Sequence, residues 1–87
     1  MYRIEYERSA RKELAALPRP AQRRVVDAIE ALGNDPRPAG SRKIAGTQNG
    51  YRIRVGGYRV LYEVRDQVLI IVIVRVAKRD ERTYRGL

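Results

Sequence analysis

Tyr51-Arg52-Ile53-Arg54-Val55-Gly56-Gly57-Tyr58-Arg59-Val60-Leu61-Tyr62 reads as a β-hairpin: apolar and polar residues alternate into a Gly-Gly dipeptide and out again. With Gly56 and Gly57 as a two-residue loop, Val55 faces Tyr58, Arg54 faces Arg59, Ile53 faces Val60 and Arg52 faces Leu61. Side chains alternate across a strand, so Arg52, Arg54 and Arg59 share one face, and Tyr51, Ile53, Val55, Tyr58, Val60 and Tyr62 the other. Like charges at directly opposed positions repel. A sheet gains nothing from Arg54 opposite Arg59, whereas a polyanion site does.

The surrounding charge supports that reading. The 87 residues allow one small domain, 1–87, and carry a formal charge of +9. No acidic residue occurs from Pro36 to Tyr62, where Arg37, Arg42, Lys43, Arg52, Arg54 and Arg59 all fall. Only Lys12, Lys43 and Lys78 are lysines, so the charge is largely guanidinium, which grips phosphate bidentately and stacks on bases. High-GC coding would favour arginine too, so the preference alone is a weak signal. Absence of histidine removes His-based acid–base catalysis, Ser-His-Asp triads and most zinc sites. Absence of cysteine removes disulfides and thiolates and suits the cytoplasm. Met1-Tyr2-Arg3-Ile4-Glu5 lacks a signal-peptide core, and the apolar run Val68 to Val74 is too short to span a bilayer. A soluble cytoplasmic protein is expected, without metal or cofactor.

Outward from the hairpin, Tyr2 to Tyr6 alternates as a short strand. Ser9 is an N-cap for a helix with Ala10, Leu14 and Leu17 on one side, ending at Pro18. Pro20 opens a second helix whose stripe is Ala21, Val25, Ala28, Ile29 and Leu32, with Gly33 as C-cap. Residues 37–49 read as a loop, and Asp66-Gln67 turns the chain into Val68 to Val74, apolar on both faces and therefore an interior strand. The expectation is an α+β fold of order β-α-α-β-β-β. Two helices pack on a largely antiparallel four-stranded sheet, with a short C-terminal helix or tail.

Other chemistry is thin. Glu5, Glu7, Glu13 and Glu30 sit at surface-like positions, and Asp80-Glu81 reads as a solvated pair. Gly40, Gly46 and Gly50 lack phosphate-loop spacing, and Ser9, Ser41 and Thr47 have no activating base. Alternation assigns Tyr51, Tyr58 and Tyr62 to the core. Tyr84, in Lys78-Arg79-Asp80-Glu81-Arg82-Thr83-Tyr84-Arg85, suits base stacking as well as it suits covering the end of the sheet.

Tyr51-Arg52-Ile53-Arg54-Val55-Gly56-x-Tyr58-Arg59-Val60-Leu61-Tyr62, then Val76-Ala77-Lys78-Arg79 and Tyr84-Arg85, resembles the RelE/ParE superfamily of type II toxins, and within it the RelE branch. The resemblance extends over the Ile4 strand, Ala10-x-x-Glu13-Leu14-x-x-Leu17-Pro18, the second helix and the Gly46 loop; its specific part is the tyrosine–arginine core beside the glycine turn. It implies a ribosome-dependent endoribonuclease that cuts mRNA without metal and is held inactive by a cognate antitoxin encoded next door. The toxin–antitoxin complex would be oligomeric and operator-binding. It implies Arg54, Arg59, Arg79 and Tyr84 as catalytic residues, and Arg52, Lys43, Lys78 and Arg82 as RNA-binding ones. Arg59 would clamp the scissile phosphate, Arg79 would stabilise it or help the departing 5′-oxygen, and Tyr84 would hold the base. One departure stands out. Well-studied RelE-type enzymes carry lysines where this chain has Arg52 and Arg54, and a guanidinium accepts protons poorly at neutral pH. Two other readings stand beside this one: a ParE-like poison of DNA gyrase, and a non-catalytic basic module.

Overall fold

The computed structural model describes residues 1–79. Its elements are β1 (Arg3–Tyr6), α1 (Arg8–Ala15), α2 (Arg19–Leu32), β2 (Arg42–Lys43), β3 (Gly50–Val55), β4 (Tyr58–Arg65) and β5 (Ile70–Lys78). They form one mixed sheet in the order β1-β5-β4-β3-β2, with β1 parallel to β5 and every other pair antiparallel. The α+β class is as expected from the sequence, but the sheet has five strands rather than four. The extra one, β2, is two residues long and carries no periodicity; it forms because Arg42 and Lys43 pair with Arg52 and Tyr51. The Ile44 side chain, 8% exposed, anchors it.

The β3–β4 hairpin has the register read from the alternation, from Val55 opposite Tyr58 to Arg52 opposite Leu61. Gly56 has φ 58° and Gly57 a φ outside the left-handed region, the pattern of a type II′ turn. Both helices lie on the tyrosine face. α2 buries Ala21, Val25, Ile29 and Leu32, and the last three with Ala10 of α1 meet Ile53, Val60, Tyr62, Val64, Ile71, Ile73 and Val76.

Three local expectations are corrected. α1 starts at Arg8 with Glu7 as N-cap, not at Ser9, because the Glu7 N–H still donates to the Ile73 carbonyl (2.9 Å) and the chain turns straight from the ladder into the helix. Gly33 does end α2, but with φ −60°. Glycine is needed there for close approach: a Cβ would lie 3.2 Å from the carbonyls of Tyr2 and Glu30. Val68 and Leu69 belong to the β4–β5 turn and are 59% and 50% exposed; Leu69 takes φ 55° there. β5 therefore starts at Ile70 and runs on to Lys78.

β1 pairs only with Ile70 to Ile73, leaving the upper edge of β5 without a strand neighbour. α1 fills that gap with one side chain. Glu13 accepts hydrogen bonds from the Val76 N–H (2.9 Å), Arg75 Nε (2.9 Å) and Arg75 Nη2 (2.7 Å). A carboxylate thus takes the place of a missing strand carbonyl.

Candidate nucleic-acid interface

Sheet register brings the arginines together. Arg42 on β2 lies opposite Arg52 on β3, and Arg54 lies opposite Arg59 on β4. All four share the face away from the helices, because residues two apart on a strand, or directly paired, point the same way. Arg59 in turn pairs with Ala77 of β5, and the Arg79 N–H donates to the Gly57 carbonyl (2.9 Å). The hairpin turn therefore pins Arg79 beside Arg59, and both line one cleft with Gly57, Tyr58 and Lys78. Arg54 and Arg79 are exposed; Arg52 and Arg59 are half-buried. Two like-charged pairs side by side each cost a fraction of a kcal/mol, about 0.2–1 by the usual range for opposed side chains. An anion seated between them reverses the sign of that term.

Of the two lysines expected at the site, Lys43 lies apart from the Arg59–Arg79 cleft, while Lys78 lines it. Lys43 pairs with Tyr51 and Lys78 with Tyr58, so both sit on the tyrosine face. Lys43 Nζ donates to the Thr47 carbonyl and lies 6.0 Å from the Tyr51 ring centroid. Lys78, although registered on the tyrosine face, is one of the residues lining the Arg59–Arg79 cleft. Arg82 and Tyr84 lie outside the described residues.

Arg37 leaves the basic group altogether. Its guanidinium donates to both Asp66 oxygens (3.3 and 2.7 Å) and to Tyr51 Oη (3.0 Å), and sits 5.1 Å from the Tyr51 ring centroid. Tyr2 Oη donates to the same carboxylate (2.5 Å). The hydrogen bonds from Arg37 and then Tyr2 hold the Asp66 carboxyl below its ordinary range. Alongside, Tyr62 Oη donates to the Pro36 carbonyl (2.7 Å). Burial, the largest cause, pushes the Tyr62 phenol up to about 12, and its ring stacks on Tyr51 at 6.0 Å. This clasp fastens residues 36 and 37, and hence the segment leading to β2, to the tyrosine face. An acid-free window from Pro36 to Tyr62 concealed it, since Asp66 lies just past the window's end.

The arginine face also has an apolar strip. Leu61, Ala77 and Val72 register on it with exposures of 0%, 6% and 7%. The face therefore contributes to the buried interior, contrary to what alternation in the hairpin alone implies. Leu61 was the visible signal, an apolar residue in an arginine row.

Comparison with known proteins agrees with the fold. A family model described as the ParE toxin of the type II toxin–antitoxin system parDE matches residues 4–83. A protein of Escherichia coli described as a RelE-like toxin is 31% identical over 81 residues, covering 91% of this chain and 84% of its own length. Among solved structures, the toxin of an archaeal RelE–RelB complex from Pyrococcus horikoshii superposes with a TM-score of 0.81 at 30% identity, covering 92% of this chain and 97% of that one. A chain of a RelBE-type toxin–antitoxin complex from Mycobacterium tuberculosis gives 0.79 at 28% identity, covering 90% and 98%. With the hairpin arginines, the helix pair and the sheet order all in place, this chain belongs to the RelE/ParE superfamily of toxins of type II toxin–antitoxin systems.

Proposed function

We propose that this toxin is a ribosome-dependent mRNA endoribonuclease. The observation that carries the reading is the row Arg54–Arg59 with Arg79 pinned beside it. In the reaction, the ribose 2′-oxygen attacks the adjacent phosphorus, the O2′–P bond forms and the P–O5′ bond breaks. The products are a 2′,3′-cyclic phosphate and a 5′-hydroxyl. Negative charge builds on the phosphoryl oxygens in the transition state, and fixed guanidiniums aimed there stabilise it; losing one such donor typically costs about 10²–10³-fold in rate. Arg59 clamps the phosphate, and Arg79 stabilises the same oxygens and the departing 5′-oxygen. Arg52 and Arg54 hold the nucleotide and favour 2′-OH ionisation electrostatically. Because Arg54 cannot serve as a base near neutral pH, the 2′-OH proton passes to a phosphate oxygen, water or the ribosome. Tyr84 stacks on or orients the base. The partner is an acidic or amphipathic antitoxin from the adjacent gene that covers Arg54 and Arg59, and the site of action is the cytoplasm.

The match to the ParE family model favours a second reading, poisoning of DNA gyrase by protein contact. One experiment separates them. After brief induction without antitoxin, mRNA 5′ ends are mapped while gyrase-linked DNA breaks are scored. Cuts confined to translated mRNA, absent in Arg59→Ala, support the endoribonuclease. DNA breaks with intact mRNA replace it with the gyrase poison.

A further inference from the structure

The site above uses Arg59 and Arg79 for the scissile phosphate and gives Arg42 no role. Arg42 nonetheless completes a second cleft with Arg52 and Arg54, walled by Ala39 and Gly40 and set on the edge of the sheet. Among the described residues neither the Arg42 nor the Arg54 side chain makes a hydrogen bond or ion pair. Two acidic residues of the sheet on the same face, Glu63 and Glu5, are held by Arg65 at 2.9 Å and by Arg3 at 3.0 Å. On the opposite face, the Arg37–Asp66 clasp fastens the segment that delivers Arg42. The edge thus holds a third guanidinium against two others, and among the described residues no carboxylate pairs with Arg42 or Arg54 there.

We infer that Arg42, Arg52 and Arg54 form a second phosphate subsite, which takes another phosphodiester of the same RNA strand whose scissile phosphate lies at Arg59 and Arg79; the inference rests on the endoribonuclease reading. Strand spacing argues for a strand rather than a lone ion. β2 and β4 are two spacings apart, about 10 Å, and Arg54 borders the edge cleft while pairing with Arg59 of the other. One phosphate cannot fill both clefts, but a sugar–phosphate backbone crossing the strands can. Arg42 is a positioning residue: it sets the register of the strand without touching the reacting atoms.

The test measures binding of the purified full chain to a short, uncleavable 2′-O-methyl RNA against salt. In parallel, each phosphate is neutralised in turn as a methylphosphonate. Arg42→Ala should weaken binding about tenfold, as expected for one charge-assisted contact. It should also reduce the slope of log K against log salt by about 0.7, the value for one single-strand phosphate. A single methylphosphonate position should weaken wild type clearly more than Arg42→Ala, which keeps only the Arg52 and Arg54 contacts to that phosphate. Arg42→Lys, which keeps the charge, should restore the slope, and all variants should melt with wild type. If Arg42→Ala binds as wild type with full slope, or is weakened as much as wild type by every methylphosphonate, the subsite is wrong. Cleavage on ribosomes, scored separately, keeps the two ideas apart. Cutting with an Arg42-independent slope overturns the subsite alone, whereas an Arg42-dependent slope with no cutting overturns the endoribonuclease and leaves the phosphate subsite standing.

Discussion

Replacing Glu13 by alanine should destabilise this protein more than any other single substitution of an acidic residue. Its carboxylate serves the Val76 N–H and the Arg75 guanidinium together, where β5 has no strand neighbour. The pair is neither open nor sealed, with side-chain exposures of 31% for Arg75 and 27% for Glu13. Exposed pairs contribute about 0.2–1 kcal/mol and breaking a fully buried one costs about 3–5, so an intermediate ~1.5–2 kcal/mol is expected for the ion pair. The Val76 N–H left without its acceptor adds about 1 kcal/mol. The sum, about 2.5–3 kcal/mol, corresponds to a fall in Tm of about 10–24 °C for a domain of this size. Glu13→Gln keeps an oxygen for Val76 but loses the charge, and should fall roughly half as far. Thermal melts followed by circular dichroism decide the matter. An alanine variant melting within about 2 °C of wild type would refute the idea that a side chain substitutes for the missing strand.

Arg59→Ala and Arg79→Ala should each reduce ribosome-dependent cleavage by about 10²–10³-fold while melting near wild type; if both stay fully toxic, the site is elsewhere. Arg54→Lys tests the departure from the family pattern, since faster cutting means a proton acceptor was lacking and slower cutting means bidentate grip matters more. Because Arg37 and Tyr2 hold the Asp66 carboxyl down, its stabilisation is complete above the unfolded carboxylate pKa, about 3.9. It is lost as pH drops through the lower folded value. Asp66→Asn should therefore melt below wild type at neutral pH, with the gap closing only in acid below about pH 4, and a gap that persists there contradicts the pairing. At the hairpin tip, Gly56→Ala should cost about 1–2 kcal/mol because φ is 58°, whereas Gly57→Ala should be near neutral in denaturant titrations.

The sequence by itself determined what repeats locally. Hairpin register follows from the two-residue period and the glycine turn, and the stripe of α2 from its helical spacing. The row of Arg52, Arg54 and Arg59 follows from the same alternation. Tertiary structure decided what depends on which strand lies beside which. Only the placement of β2 shows Arg42 opposite Arg52 and sends Lys43 to the far face. Only the meeting of residues 29 positions apart takes Arg37 out of the basic group and gives it to Asp66. Only the pairing of β4 with β5 brings Ala77 and Val72 into line with Leu61 as a buried strip on the arginine face. The early end of β1 makes Glu13 a strand's substitute rather than a surface carboxylate. Periodicity is a property of neighbouring residues and is written along the chain. A charge's partner is set by long-range contacts, which no local pattern carries.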